Sequence, residues 1–119
     1  MDRVGKRDFG GALTGLEALF SQGESGVGLT IGLATHLLRL GVARTAAGRT
    51  LEGFLPPHQQ WLAPRLKEQA SNWTVEDLED ALLGLRRADR LLKSSNLGED
   101  HILEGWLLTL MARESVGAT

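Results

Sequence analysis

Apolar residues recur at intervals of three and four along the chain, and no segment alternates strictly between apolar and polar residues. The first pattern is typical of amphipathic α-helices, and the second would be typical of strands. The breaks between apolar stretches divide the pattern into five predicted helices, over residues 9–20, 25–46, 62–73, 74–93 and 99–113. We therefore predict an all-α fold in which residues 1–119 form a single compact domain around a central apolar helix.

Helix start and stop signals support these boundaries. Asp8 is a candidate N-cap of the first helix and Gly23 a stop signal, while Thr74 opens a capping-box-like sequence at the fourth. Pro64 predicts a kink or a fresh start within the third helix. Residues 1–7 are mixed in charge and have no apolar core of the kind that a signal peptide needs, so we do not expect them to be one. The break over 48–57 contains a short predicted turn at 50–55. We expect the tail, residues 114–119, to be loose.

The second predicted helix is apolar on two sides. One stripe holds Val27, Ile31, Ala34, Leu38 and Val42, and the other holds Leu29, Leu33, Leu37 and Leu40. Such a helix is expected at the centre of the domain, surrounded by the others. A membrane span is disfavoured, because a central arginine costs about 2.5–3.5 kcal/mol on insertion scales and Arg39 lies within the apolar stretch.

Composition narrows the functional classes. The chain has 119 residues, no cysteine and a net charge of −2, so a disulfide scaffold, a thiolate metal site and a cysteine nucleophile are excluded. The slight acidic excess disfavours a free-standing nucleic-acid binder. The three histidines are isolated, and no glycine-rich phosphate loop follows a strand. We predict no metal, no cofactor, no small-molecule substrate and no catalysis by this domain.

Charges are sorted by sign along the fourth helix. Its start carries Glu76, Asp77, Glu79 and Asp80, and its second half carries Arg86, Arg87, Arg90 and Lys93. This order complements the helix dipole. Asp89 falls inside the predicted apolar arc, where an unpaired carboxylate is strongly disfavoured. We expect a cation to hold it, with Lys93 one turn on or Arg39 of the central helix as the candidates.

Four large apolar residues lie off the predicted buried faces: Trp61, Leu83, Leu91 and Leu108. Single exposed leucines are common on protein surfaces, so tolerated surface positions are one interpretation. The other is a docking surface for a partner protein. The pattern alone leaves both open.

The order and spacing of residues follow a known family pattern. In the second half it runs Trp61, Arg65, Gln69-Ala70, Trp73-Thr74, Leu78, Ala81-Leu82, Leu85, Ala88-Asp89 and Leu92-Lys93, before a leucine-rich closing helix. The first half adds Arg7-Asp8, Ala12-Leu13, Gly23-Glu24 and Leu37-Leu38-Arg39-Leu40. Taken together, nearly the whole chain resembles the C-terminal domain of the bacterial DNA polymerase III delta subunit.

The resemblance implies a role in DNA replication without chemistry of its own. The delta subunit belongs to the clamp loader, a five-subunit AAA+ assembly that places the sliding clamp on primed DNA. Its C-terminal domain joins those of the other subunits in a collar. The implied partners are those subunits, with clamp and DNA reached only through regions of a longer parent chain. The implied location is the bacterial cytoplasm, away from membranes, and the parent holoenzyme is a DNA-directed DNA polymerase, a transferase.

An alternative function from another class stays open at this point. The chain could be a free-standing helical adaptor that binds a partner helix against the side of Leu83 and Leu91. Titration against clamp-loader subunits would separate the two hypotheses.

Overall fold

The computed structural model describes residues 2–45, 53 and 55–117. Over these residues the fold is all-α: six α-helices and one 3₁₀ helix form the domain, and none of the described residues is in a strand. The helices are α1 (Asp2–Gly5), α2 (Phe9–Ser21), α3 (Gly26–Thr45), α4 (Ala63–Ala70), α5 (Val75–Ser94) and α6 (Glu99–Gly117), with the 3₁₀ helix (Pro57–Leu62) before α4.

The predicted start and stop signals operate in the structure. The side chain of Asp8 accepts a hydrogen bond from the Gly11 amide at 3.1 Å, and that of Thr74 accepts one from the Asp77 amide at 3.0 Å. Gly23 ends the first long helix with a φ of +88°, a conformation that glycine adopts without steric cost. These local signals place the ends of α2 and α5 correctly.

Pro64 marks a fresh start, the second of its two predicted outcomes. The 3₁₀ helix ends at Leu62, and α4 begins at Ala63 with Pro64 in its first turn. A proline is tolerated there because the first amides of a helix have no partner inside it. The turn predicted at 50–55 lies almost entirely outside the described residues.

The structure differs from the predicted elements at both ends, and the predicted loose tail is wrong over residues 114–117. The short helix α1 was not predicted, yet it contributes to the core: Val4 is 4% exposed, and the Trp73 indole donates a hydrogen bond to the Gly5 carbonyl at 3.0 Å. A four-residue helix has too little periodicity to be recognised from sequence. At the other end, α6 continues to Gly117, beyond the predicted end at residue 113.

α3 is the central helix, as predicted, and it packs against α1, α4, α5 and α6. Its buried side is the stripe of Leu29, Leu33, Leu37 and Leu40. The prediction that its second stripe is also covered is wrong, because Ile31 and Leu38 are more than half exposed. By length and composition alone α3 could span a membrane, a test that the core helix of a soluble protein also passes.

α6 closes the domain against α2 and α5. The Trp106 indole donates a hydrogen bond to the Ala81 carbonyl at 3.0 Å. A Cβ on Gly84 would lie 2.9 Å from Cδ1 of Trp106, so the missing side chain at Gly84 lets the two helices approach at this point. The predicted apolar faces of both helices thus meet in the core, with one exception at the start of α5 that is described below.

Candidate protein-interaction surface

α3 and α5 lie side by side and run in opposite directions, leaving a groove between them on the surface. Two clefts, of about 300 and 350 Å³, follow one another along it. Leu82 lines both clefts. In the first cleft the second half of α3 faces the start of α5, and in the second cleft the first half of α3 faces the end of α5. We call this continuous depression the α3–α5 groove.

Three exposed apolar side chains border the groove. Ile31 and Leu38 stand one above the other on α3 and are 62% and 52% exposed, and Val75 on α5 is 44% exposed. Val75 was predicted to be buried. Around the axis of α5, Val75 lies about 20° further from the buried face than Leu82. Because Leu82 is itself only half-buried, the part of the helix surface that other elements cover ends before Val75.

The polar border of the groove contains the predicted Asp89 pair. Lys93 is the partner of Asp89, with Nζ 2.9 Å from a carboxylate oxygen. The expected deep burial is wrong, since the Asp89 side chain is 34% exposed at the same arc edge as Leu82. Arg39, the other candidate, donates instead to the side-chain oxygen of Gln59 at 2.6 Å.

The four predicted interface residues are all exposed, but none of them lines the α3–α5 groove. Leu83 and Leu91 stand on the outer side of α5, Leu108 on the outer side of α6, and Trp61 in the 3₁₀ helix. Their proposed role in an interface stays a prediction. Trp61 also has local contacts, because its indole donates to the His58 carbonyl at 2.9 Å and the Arg65 guanidinium lies 5.8 Å from its ring.

Sequence reasoning missed the groove for a specific reason. Both stripes of α3 are apolar, and the pattern was interpreted as a helix covered on all sides. Periodicity reports which residues share a face, but it does not report whether a neighbouring element covers that face.

A polar network that is buried at His36 and Gln69 lies on the opposite side of α3, where α1 and α4 meet it. We call it the α1 junction. The imidazole Nε2 of His36 is 2.9 Å from the side-chain oxygen of Gln69. The amide nitrogen of Gln69 donates to Asp2 at 3.1 Å, and Arg65 donates to the same carboxylate at 3.1 Å. Gly5 lies directly above this network.

The α1 junction perturbs two titratable groups. Burial lowers the pKa of His36, because the charged imidazolium loses its hydration there. The hydrogen bond from Gln69 lowers the pKa of Asp2. Each of these side chains has a hydrogen-bond partner within the chain, so the network joins α1 to α3 and α4.

In the part of the chain that the structure describes, no three histidine or acidic side chains are grouped to hold a metal ion. An apolar cleft of about 420 Å³ also opens among α1, α2, α3 and α6, lined mostly by aliphatic side chains.

Comparisons with known proteins add no relatives: no family model matches the chain, and neither a curated protein nor a solved structure matches it. The resemblance to the delta subunit therefore rests on the order and spacing of residues alone. What the geometry contributes is a surface with unburied apolar side chains.

Proposed function

We propose that this domain is a subunit-assembly domain of the delta subunit of the DNA polymerase III clamp loader, acting in sliding-clamp loading during replication. The observation that carries the proposal is the α3–α5 groove, whose apolar border of Ile31, Leu38 and Val75 faces solvent. The residue pattern supports the choice of partner. On this proposal the domain holds subunits together in the bacterial cytoplasm and leaves nucleotide chemistry to them.

The physical argument concerns water-exposed apolar area. Fully burying one aliphatic side chain of this size stabilises a complex by about 1.5–3 kcal/mol. A partner that covered Ile31, Leu38 and Val75 would gain part of that amount at each residue, because each is about half exposed in the free domain. Grooves of this kind accept an amphipathic helix through residues spaced at three and four positions.

The proposal is tested by reconstituting the chain with the other clamp-loader subunits and separating complexes by size-exclusion chromatography. We expect co-elution of the wild-type chain. The double variant Ile31→Glu/Leu38→Glu should lose co-elution, because two carboxylates would be desolvated at the contact. Leu97→Glu is the matched control, since Leu97 is equally exposed but lies in the α5–α6 turn.

A second arm tests the outer side of α5 with Leu83→Glu/Leu91→Glu, which avoids the groove. Normal co-elution of both double variants would contradict assembly through either surface. Failure of the wild-type chain itself to join any clamp-loader subunit would contradict the delta-subunit proposal and favour the free-standing adaptor. Circular dichroism melts of each variant separate a lost contact from a lost fold.

A further inference from the structure

The outer side of α5 carries a symmetric arrangement of charges around one leucine. Leu83 is half exposed and lies near the middle of the helix. The six charged residues at distances of three, four and seven positions from it are all exposed. Those on the N-terminal side are acidic, Glu76, Glu79 and Asp80, and those on the C-terminal side are basic, Arg86, Arg87 and Arg90. We call this surface the α5 charge face.

Spacings of three, four and seven residues bring side chains onto one face of a helix. Glu79 and Asp80 therefore flank Leu83 on one side, and Arg86 and Arg87 flank it on the other. One further turn out, Glu76 and Arg90 extend the same face at its two ends.

Within one chain this arrangement is unfavourable. Glu76 has acidic neighbours at three and four positions, and Arg90 has arginines at three and four positions before it. Like charges at these spacings destabilise a helix. Among the described residues only Asp80 of the six has an ion-pair partner, with Arg113 at 2.7 Å.

The helix dipole accounts for only part of the order. Its influence falls off within the first and last turns. Glu76 lies in the first turn of α5, but Arg86 and Arg87 lie seven or more residues before its end at Ser94. The four charges closest to Leu83 are thus sorted by sign where the dipole gives little reason for it.

We propose that the α5 charge face binds the same face of a second copy of this chain, with the two helices antiparallel and Leu83 at the two-fold axis. In this arrangement each acidic residue before Leu83 meets the basic residue that lies after Leu83 on the same edge of the face in the other copy, and positions three before and four after Leu83 share one edge. Glu79 faces Arg86, Asp80 faces Arg87 and Glu76 faces Arg90, and the symmetry repeats each pair.

Charge complementarity selects this occupant. A two-fold interface requires that when one residue contacts another, the reciprocal contact also occurs. The acidic residues before Leu83 and the basic residues after it make every such contact one between opposite charges. A parallel pair would instead place acidic against acidic residues, which opposes association. A different partner protein would also need charges opposite to those of α5, but it would give no reason for the charges of α5 to be symmetric about Leu83.

The inference goes beyond the proposed function and involves a different surface. Leu83 and Arg87 do not line the α3–α5 groove, although Glu79 and Arg86 lie at the border between the two surfaces. Two copies joined in this way would leave Ile31 and Leu38 uncovered for another partner.

Sedimentation velocity of the full chain, at rising protein concentration in low and high salt, tests the proposal. We expect a concentration-dependent dimer at about 0.05 M salt and at least a tenfold weaker one at about 0.5 M, because salt screens exposed ion pairs. Arg86→Glu/Arg90→Glu makes five of the six charges on the face acidic, and Glu76→Arg/Glu79→Arg makes five of them basic. Each variant alone should stay monomeric.

An equimolar mixture of the acidic and basic variants is the decisive arm, because it restores opposite charges and should form a heterodimer. Lys6→Glu/Arg44→Glu is the matched control: it changes the net charge as much as the acidic variant, at exposed positions outside the face. This control should dimerise like the wild type.

A wild-type chain that stays monomeric at about millimolar concentration in low salt would overturn the proposal, and so would a dimer that both charge variants retain. A mixture that stays monomeric while each variant melts like the wild type would also overturn it. None of these results depends on clamp-loader subunits, so failure here is distinguishable from failure of the proposed function.

Discussion

The α1 junction and the outer side of α5 place polar groups in opposite situations. In the junction Gln69 and His36 are buried and hydrogen-bonded to each other, and Gln69 also binds Asp2. On α5 the charges around Leu83 are exposed and, apart from Asp80, have no ion-pair partner among the described residues. Substitutions in the junction should therefore change the stability of the monomer, whereas those on α5 should change association.

The two tryptophans Trp73 and Trp61 give the largest contrast. Trp73 is 1% exposed, packs edge-on against Phe9 with ring centroids 6.1 Å apart and has the Arg7 guanidinium 4.6 Å from its ring. Trp73→Ala should lower the free energy of unfolding by about 3–5 kcal/mol. Trp61→Ala, at an exposed position, should change it by less than about 0.5 kcal/mol. Urea titration measures both, and equal losses would remove the contrast.

A pair of glycines tests the junction without deleting a side chain. A Cβ on Gly5 would clash with the Gln69 side chain and lie 2.8 Å from Nε2 of His36, whereas a Cβ on Gly15 of α2 would meet nothing within 4 Å. Gly5→Ala should cost about 1–3 kcal/mol through overpacking. Gly15→Ala should stabilise by about 0.4–1 kcal/mol, because the unfolded chain loses freedom. Thermal melts that moved in the same direction for both would contradict this account of the junction.

The pH dependence of stability reports on the same junction. Because burial lowers the pKa of His36 below 6.5, the unfolded chain binds more protons than the folded chain once the pH falls beneath that value. Stability from this group is therefore fully present above about pH 6.5 and is lost as the pH falls through the lowered pKa. Urea titrations at several pH values should show the decrease, and His36→Gln should remove it from this window. An unchanged slope in that variant would assign the effect to other groups.

The α1 junction and the groove also show which features of the structure could be predicted from the sequence and which could not. Asp8, Gly23, Thr74 and Pro64 act through neighbouring backbone, so helix starts and stops were predictable. Four-residue α1 gives no periodic signal, and its contacts with α3 and α4 join residues more than 30 positions apart. The exposure of Ile31 depends on how much of its side of α3 other elements cover, and a local sequence pattern does not encode this.

Asp89 gives the smallest expected effect. The sequence placed it in a buried arc, where removal of one partner of an ion pair costs about 3–5 kcal/mol. In the structure the carboxylate is one-third exposed and its partner Lys93 is nearly two-thirds exposed, so the pair is a solvated one between residues four apart on a helix. Such pairs contribute about 0.3–0.5 kcal/mol, and salt weakens them. Asp89→Ala should therefore lower the free energy of unfolding by less than about 0.5 kcal/mol.

Lys93→Ala is the matched control and should lower the free energy of unfolding by a similar amount. The double variant should lose no more than the sum of the two single variants. A loss of several kcal/mol for Asp89→Ala alone would restore the buried interpretation and place this edge of the groove inside the core.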